Sequence, residues 1–371
     1  MTEVISMSSP DLEGSDVQAV SDVLGSGRLA LGPHAEEFER LIAEYVGVDH
    51  CIAVSSGTAA LHLIVAALGI GAGDEVLVPS FTFAASVNAF LYEGAAPVFV
   101  DIEPDTYNID PADLERRITP STKAIMAVDV FGHPAEWDEI LRIVDKHGLK
   151  VIDDSCEALG AEFKGRKLGA FGDAAAFAFY PNKQITTGEG GMIATDNAEV
   201  ARLCRSLRNQ GRAEMGAWLE HERLGYNYRM DEMSAALGVS QFKRIDDFLE
   251  RRERVARRYT ERLQGLDWVR PPAAKPHVRM SWFVYVVTLA ERLQRDEVMR
   301  QMEAQGVPAR GYFSPVHLQP YILKRFGSRV DLPVTEEIAQ RTIALPFHNK
   351  LSDEQIDQVV AALARAVDRL T

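Results

Sequence analysis

The sequence predicts an α/β protein, with a large domain built on a mainly parallel sheet between helices and a smaller C-terminal α/β domain. Three observations predict this. From about residue 14 to residue 210, short apolar runs alternate with segments of helical period, the pattern of a parallel sheet covered by helices. From Asp231 to about Gln264 the chain is rich in Arg and Glu, with Leu, Ile, Val and Phe at helical spacing, which reads as one long connecting helix. After the break at Pro271-Pro272 a second set of strand and helix signals begins. The expected division is residues 14–230 for the large domain, 231–264 for the connecting helix and 265–371 for the small domain.

The elements follow in order. Apolar runs at Cys51 to Val54, Glu75 to Val78, Pro97 to Val100, Lys123 to Val128, Lys150 to Ile152, Ala174 to Phe179 and Met192 to Thr195 are the expected strands. Helical spacing at Thr58 to Leu68, Phe83 to Tyr92, Ala135 to His147 and Ala198 to Arg208 supplies the helices between them. In the second unit, Trp282 to Leu289 reads as a strand, and Arg295 to Gln305 and Asp353 to Leu370 as helices.

Composition narrows the function. At 371 residues and 46% hydrophobic the chain can bury an ordinary core and exceeds one small module. Forty Lys+Arg against 54 Asp+Glu leave a net charge of 40 − 54 = −14 with no long basic run, so binding to nucleic acid or an anionic membrane by bulk charge is not expected. Cys51, Cys156 and Cys204 are odd in number and widely spaced, fitting neither a disulfide framework nor paired metal ligands. Met1 to Pro10 has no basic start and no apolar signal core, and nowhere do eighteen apolar residues run together. A reduced, cytoplasmic setting is the expectation.

Six places carry candidate chemistry. Cys51 to Ala60 is a strand, a small-residue turn and a helix start, where free N–H groups and the hydroxyls of Ser55, Ser56 and Thr58 can hold a phosphate or merely cap the helix. Lys150 to Ala158 places Asp153 and Asp154 at the end of a buried strand, where ligands of open α/β sheets sit. If a pyridine ring binds there, either carboxylate could keep its nitrogen protonated. In Ala178 to Gly191, Lys183 follows an apolar strand and lies among small, uncharged residues, a setting for a Schiff-base nucleophile. Gly188, Gly190 and Gly191 beside it allow close backbone approach. Asn227 and Arg229 alternate with Tyr226 and Tyr228, so on an extended chain they share one side. Phe83 can stack on a flat ring or bury itself beside the sheet, and His317 between Val316 and Leu318 reads first as a packed histidine.

Together, Ser-Ser-Gly-Thr-Ala-Ala-Leu at 55–61, Pro-Ser-Phe-Thr-Phe at 79–83, Ile-Asp-Asp at 152–154, Asn-Lys-Gln-Ile-Thr-Thr-Gly-Glu-Gly-Gly at 182–191 and Gly-Tyr-Asn-Tyr-Arg-Met at 225–230 resemble the DegT/DnrJ/EryC1/StrS family. These are pyridoxal-phosphate sugar aminotransferases of fold type I, and the resemblance runs in order through nearly the whole chain. It implies that Lys183 links covalently to the cofactor and moves the proton, that Asp154 meets the pyridine nitrogen and that Phe83 stacks on the ring. It implies that Gly57 and Thr58 hold the phosphate, that Asn227 reaches it from the neighbouring subunit of a homodimer, and that Arg229 and His317 line the substrate side. The implied substrates are glutamate and a keto-sugar nucleotide.

Two departures stand out. Many members have serine five residues before the lysine, where this chain has Ala178, and Gln or His three residues after the aspartate, where it has Glu157. Glutamate there resembles the perosamine-synthase branch, which aminates carbon 4 of a 4-keto-6-deoxysugar and in which Glu157 meets either the cofactor's phenolic oxygen or the sugar. Alternatives are a non-catalytic regulatory protein that keeps the fold and a dehydratase branch with histidine in place of the lysine. Lys183 argues against both.

Overall fold

The computed structural model describes residues 5–213, 220–327 and 330–370; residues 1–4, 214–219, 328–329 and 371 lie outside the described residues, the last three groups within the expected domains. Two helices, α1 (Gly14–Ser26) and α2 (Pro33–Val46), lead into β1 (His50–Val54). Then come α3 (Gly57–Ala67), β2 (Glu75–Pro79), α4 (Ala84–Tyr92), β3 (Ala96–Val100), α5 (Pro111–Arg116), β4 (Thr122–Val128), α6 (Trp137–His147) and β5 (Lys150–Asp154). Short strands β6 (Glu162–Phe163) and β7 (Arg166–Lys167) precede β8 (Ala174–Ala178), β9 (Gly191–Thr195) and α7 (Ala198–Arg208). The chain continues through α8 (Glu232–Phe242), α9 (Ile245–Leu263), β10 (Val269–Arg270), β11 (Val278–Arg279), β12 (Tyr285–Leu289) and α10 (Arg295–Glu303). It ends with α11 (Pro320–Phe326), α12 (Pro333–Arg341), β13 (Thr342–Leu345) and α13 (Asp353–Asp368).

The seven strands expected before residue 200 form one sheet in the order β1-β9-β8-β5-β4-β2-β3. Strands β8, β5, β4, β2 and β3 pair parallel, whereas β9 runs antiparallel to both β8 and β1. Because β9 reverses twice, β1 points the same way as the parallel strands, and all their C-terminal ends lie at one edge. Alternate residues feed opposite cores, as the two-residue period of a strand requires. Ile52, Val54, Val76, Val78, Met126 and Ile152 pack under α3, α4 and α7, while Leu77, Ile125, Ala127 and Val151 face the α6 side. This alternation separates the neighbouring aspartates: Asp154 shares the face of Ile152, and Asp153 that of Val151.

Segment 231–264 differs from expectation. Helix α8 stops at Phe242, and α9 starts afresh at Ile245. The cause is tertiary: α8 is buried on nearly every side against α1 and α2, and Arg244 at the joint is pulled to Asp16 of α1 at 2.5 Å. Helix α9 then turns its own stripe, Val255, Ala256, Tyr259 and Leu263, into a second core with β12, β13, α10 and α13. That core covers the three-stranded antiparallel sheet β10-β12-β13. The expected strand at Trp282 begins only at Tyr285, because residues 281–283 lie instead along Phe131 and Gly132. Among the described residues, no helix is long and apolar enough to cross a membrane.

Candidate active site

The site lies where β1, β2, β5 and β8 end. After β1 the chain turns through Ser55 and Ser56 into α3, and the Ser56 hydroxyl accepts from the Ala59 N–H at 3.1 Å. That cap leaves the N–H groups of Gly57 and Thr58, at the first two positions of the helix, without intrahelical acceptors and aimed outward with the helix dipole. The turn is pressed onto the sheet: a Cβ on Gly57 would lie 2.7 Å from the Ala178 Cβ and 3.0 Å from the Cys156 Sγ. Gly191, which pairs with both Val54 and Ala178, is equally confined, because a Cβ there would lie 2.4 Å from the Ser56 carbonyl oxygen. Glycine is used at both positions for space, since both have room for no side chain at all.

Asp154 is buried at the end of β5 and accepts from the Ser86 hydroxyl of α4 at 2.6 Å and from the Cys156 N–H at 3.2 Å. Thr82 bonds Ser86 in turn at 2.8 Å. Phe83, one turn away at the head of α4, leaves its ring 66% exposed while Phe81 is fully buried, so the ring is free to receive a flat partner.

Asp153 points into the other core. Its oxygens accept from the Ser155 hydroxyl at 2.7 Å and the Gly169 N–H at 2.9 Å, and Ser155 also lies 2.9 Å from Asp129. One hydroxyl has one proton to give, so one of these two carboxyls must carry a proton of its own. Burial, reinforced by the facing Asp129, raises the Asp153 carboxyl well above its usual range, and burial raises Asp129 as well. Asp153 is thus part of a closed internal network and leaves Asp154 as the carboxylate at the site.

Lys183 follows β8, and its Nζ sits 3.8 Å from the centroid of the Phe283 ring and 3.6 Å from Glu157 Oε1. Glu157 Oε2 accepts from the Phe131 N–H at 2.9 Å. Burial raises the Glu157 carboxyl, with Lys183 opposing the shift. The structure therefore brings Lys183, Glu157, Asp154, Gly57, Thr58 and Phe83 to one edge of the sheet.

Asn227 and Arg229 are placed differently. The Ser55 N–H donates to the Tyr228 carbonyl at 2.8 Å, which lays this segment beside the phosphate-type turn. Tyr226 and Tyr228 stack on one another and pack toward His62, so Asn227 faces outward and is exposed. Arg229 donates to Asn209 at 2.8 Å and lines a cavity of about 310 Å³ with Arg205, Arg208 and Arg212. Neither touches Lys183 of its own chain. His317 requires a correction: it is 1% exposed, with Nδ1 2.6 Å from the Ser80 hydroxyl and Nε2 3.4 Å from Glu336, and is packed against Phe99 rather than lining an open cleft. The sequence reading missed Ser86 and Phe283, the direct partners of Asp154 and Lys183. Ser86, four residues after Thr82 at a helix start, carried a spacing signal; Phe283 carried none.

The arrangement offers an amine, an acid beside it, a carboxylate for a cationic nitrogen and a helix start for an anion. The sequence profile of the DegT/DnrJ/EryC1/StrS aminotransferase family matches residues 10–364. A GDP-perosamine synthase of Caulobacter vibrioides is 41% identical over 367 residues, covering 97% of each chain. The dTDP-3-amino-3,4,6-trideoxy-alpha-D-glucose transaminase of Streptomyces venezuelae is 37% identical, covering 97% of this chain and 94% of its own. The Streptococcus pneumoniae protein Spr1654, solved in its PMP form, superposes with a TM-score of 0.94 at 28% identity, covering 99% of this chain and 100% of its own. The ordered match of profile, relatives and fold around one lysine-bearing sheet edge establishes that this chain belongs to the DegT/DnrJ/EryC1/StrS family and is a pyridoxal-phosphate-dependent aminotransferase.

Proposed function

We propose that the enzyme moves an amino group from glutamate to a keto-sugar nucleotide, with a 4-keto-6-deoxysugar as the acceptor. The observation that carries this reading is the position of Lys183 Nζ beside Glu157, together with the similarity to a perosamine synthase over the whole chain. The residues fit pyridoxal phosphate: the confined Gly57 and Gly191 hold the start of α3, with its free N–H groups, tight against the sheet edge, and Asp154 keeps its oxygens in a hydroxyl chain there. When bound, that group supplies an electron sink for the carbon bearing the nitrogen. Gly57 and Thr58 N–H groups would hold its phosphate, Asp154 its ring nitrogen, and Phe83 the ring face. Lys183 would take the proton from the donor carbon and return it to the acceptor side. Glu157, whose carboxyl burial raises, would donate to the phenolic oxygen in its protonated form or meet the sugar.

Asn227 and Arg229 would act on the site of a neighbouring subunit, since Asn227 faces outward and neither contacts Lys183 of its own chain. This makes the working unit a homodimer. The experiment is incubation of the purified protein with glutamate and a panel of keto-sugar nucleotides, with products identified by mass. An amino-sugar nucleotide formed with one equivalent of 2-oxoglutarate is expected. Amination from another donor alone would overturn the glutamate assignment, and no amination of any keto-sugar would overturn the acceptor class. Borohydride should fix the cofactor to Lys183; fixation elsewhere would refute its role.

A further inference from the structure

We propose that Arg252 is the positioning residue of Lys183: by gripping the main-chain carbonyls of Lys183, Trp282 and Phe283 together, it holds the lysine amine over the Phe283 ring. The inference rests on the reading of Lys183 as the reacting amine and extends it to a residue one helix away.

Arg252 lies on α9 and is 3% exposed. Its Nη2 donates to the Lys183 carbonyl at 2.7 Å, and its Nη1 donates to the carbonyls of Trp282 at 3.0 Å and Phe283 at 3.2 Å. Its Nε has no partner, and among the described residues no carboxylate forms an ion pair with it. A buried guanidinium whose hydrogen bonds all go to carbonyls, with only the Phe347 ring at 5.7 Å and the more distant Asp11 carboxylate to offset its charge, is a costly arrangement if anchoring were its sole purpose, because each carbonyl neutralises only part of the charge. What it gains is geometry. A planar fork is the one side-chain shape that can bridge two chain segments with two nitrogens at fixed spacing.

The bridged segments close a circuit. Phe283 N–H donates to the Phe131 carbonyl and Ser281 N–H to the Gly132 carbonyl, each at 3.1 Å. Phe131 N–H holds Glu157, and the Gln184 amide donates to both the Glu157 carbonyl at 2.6 Å and the Ser281 hydroxyl at 2.9 Å. Gly132 allows this approach, for a Cβ there would stand 2.8 Å from the Trp282 nitrogen. Lys183 Nζ, Glu157 and the Phe283 ring are thereby set by four chain segments, and Arg252 is the tie on the lysine's own carbonyl. Loss of the tie frees the lysine backbone relative to the ring, and a displacement of about 1 Å at a reacting group can cost on the order of a hundredfold in rate.

The test uses Arg252→Lys, which keeps the charge but cannot bridge both segments, and Arg252→Met. In the holoenzyme, the single-turnover rate with amino donor, read from the cofactor's visible band, should fall at least tenfold with donor KM changed less than threefold. In cofactor-free protein, competitive acylation of Lys183, read by peptide mass spectrometry against surface lysines, should change at least fivefold. Wild-type labelling and turnover in folded Arg252→Lys would overturn the proposal, as would a loss that only tracks the unfolded fraction. If neither variant folds, Phe283→Leu decides: it removes the ring but keeps the gripped carbonyl, and must alter Lys183 labelling to a similar degree, whereas wild-type labelling overturns the proposal. Borohydride fixation of the wild type separates the two failures. Fixation at Lys183 with indifferent variants sinks only the role of Arg252, and fixation elsewhere sinks the reading of the site.

Discussion

Replacing Gly57 by alanine puts a methyl group into the contact between α3 and β8, 2.7 Å from the Ala178 Cβ and 3.0 Å from the Cys156 Sγ. Carbon atoms prefer about 3.5–4.0 Å, so roughly 1 Å of movement is forced on the start of α3 or the end of β8. Overpacking of this kind costs about 1–3 kcal/mol, and the better helix propensity of alanine returns at most about 1 kcal/mol. A net loss of about 1–2 kcal/mol and a fall in Tm of about 1–3 °C are expected for the cofactor-free protein. Because the helix start moves with its free N–H groups, cofactor affinity should fall about tenfold, equivalent to about 1.4 kcal/mol. The decisive arm is the pair Gly57→Ala with Ala178→Gly. Ala178→Gly alone weakens β8 by about 0.5–1 kcal/mol, yet it removes the atom that Gly57→Ala strikes. The double variant, followed by thermal unfolding and cofactor titration, should therefore be more stable than the sum of the two single losses by at least about 0.5 kcal/mol, the scale of coupling between touching residues. Strict additivity, or a double variant worse than the sum, would refute the claim that these two residues share one confined space.

Asp154→Asn should lower kcat by about a hundredfold or more with little change in KM, in the range of a lost proton-directing group; Asp153→Asn should stay within tenfold of wild type, and the reverse ranking would show that strand alternation has been misassigned. The Glu157 carboxyl is raised by burial, so the stability it contributes is present below its unfolded pKa and lost as pH rises through the folded one. Glu157→Gln should therefore gain Tm relative to wild type between pH 5 and pH 8, and should flatten the alkaline limb of activity if Glu157 donates to the cofactor. An equal Tm difference at both pH values would exclude the raised carboxyl, and loss of the sugar half-reaction alone would make Glu157 a sugar ligand. Ala178→Ser restores a hydroxyl facing the Gly57 turn and should tighten cofactor binding about tenfold, as one hydrogen bond to a charged group does, a gain that titration reads directly. Mixed Lys183→Ala and Asn227→Ala subunits should regain activity after exchange; none regained would place Asn227 in its own subunit's site.

Much of this was legible in the residues, for reasons that differ by element. The seven strands of the large sheet are short apolar runs bounded by Gly, Pro or charge, and burial on both faces leaves them little other structure to form. Lys183 was legible as a candidate because it follows a strand amid small, uncharged residues, whereas the residues alone left Asp153 and Asp154 open, since strand alternation becomes visible only once the sheet is formed. The joint at Lys243-Arg244 was not, since both residues suit a helix interior and only the pull of Asp16 on Arg244 ends it. Helix α1 escaped notice because Val17 and Leu24 face solvent and its buried face includes Asp16. Arg252 sits among Arg251, Arg254, Arg257 and Arg258, and nothing in a helix so rich in one residue type says which member the fold buries. His317 shows the converse: a motif match located the residue but not its surroundings.

Gly191 has a consequence for how such an enzyme can change over generations. It abuts Ser56 and pairs with Val54 and Ala178, so the Ser-Ser-Gly-Thr turn, the end of β8 and the Gly-Glu-Gly-Gly tail meet at one point with no spare volume. A mutation that adds bulk at Gly57 or Gly191 is judged by all three segments, and single-step drift at those two glycines is closed. The exposed loops around the site, beyond Phe83 and Asn227, are under no such joint constraint. New acceptor preferences are therefore reached by altering the rim around an inherited cradle, and a cradle transplanted between relatives must travel as three segments at once.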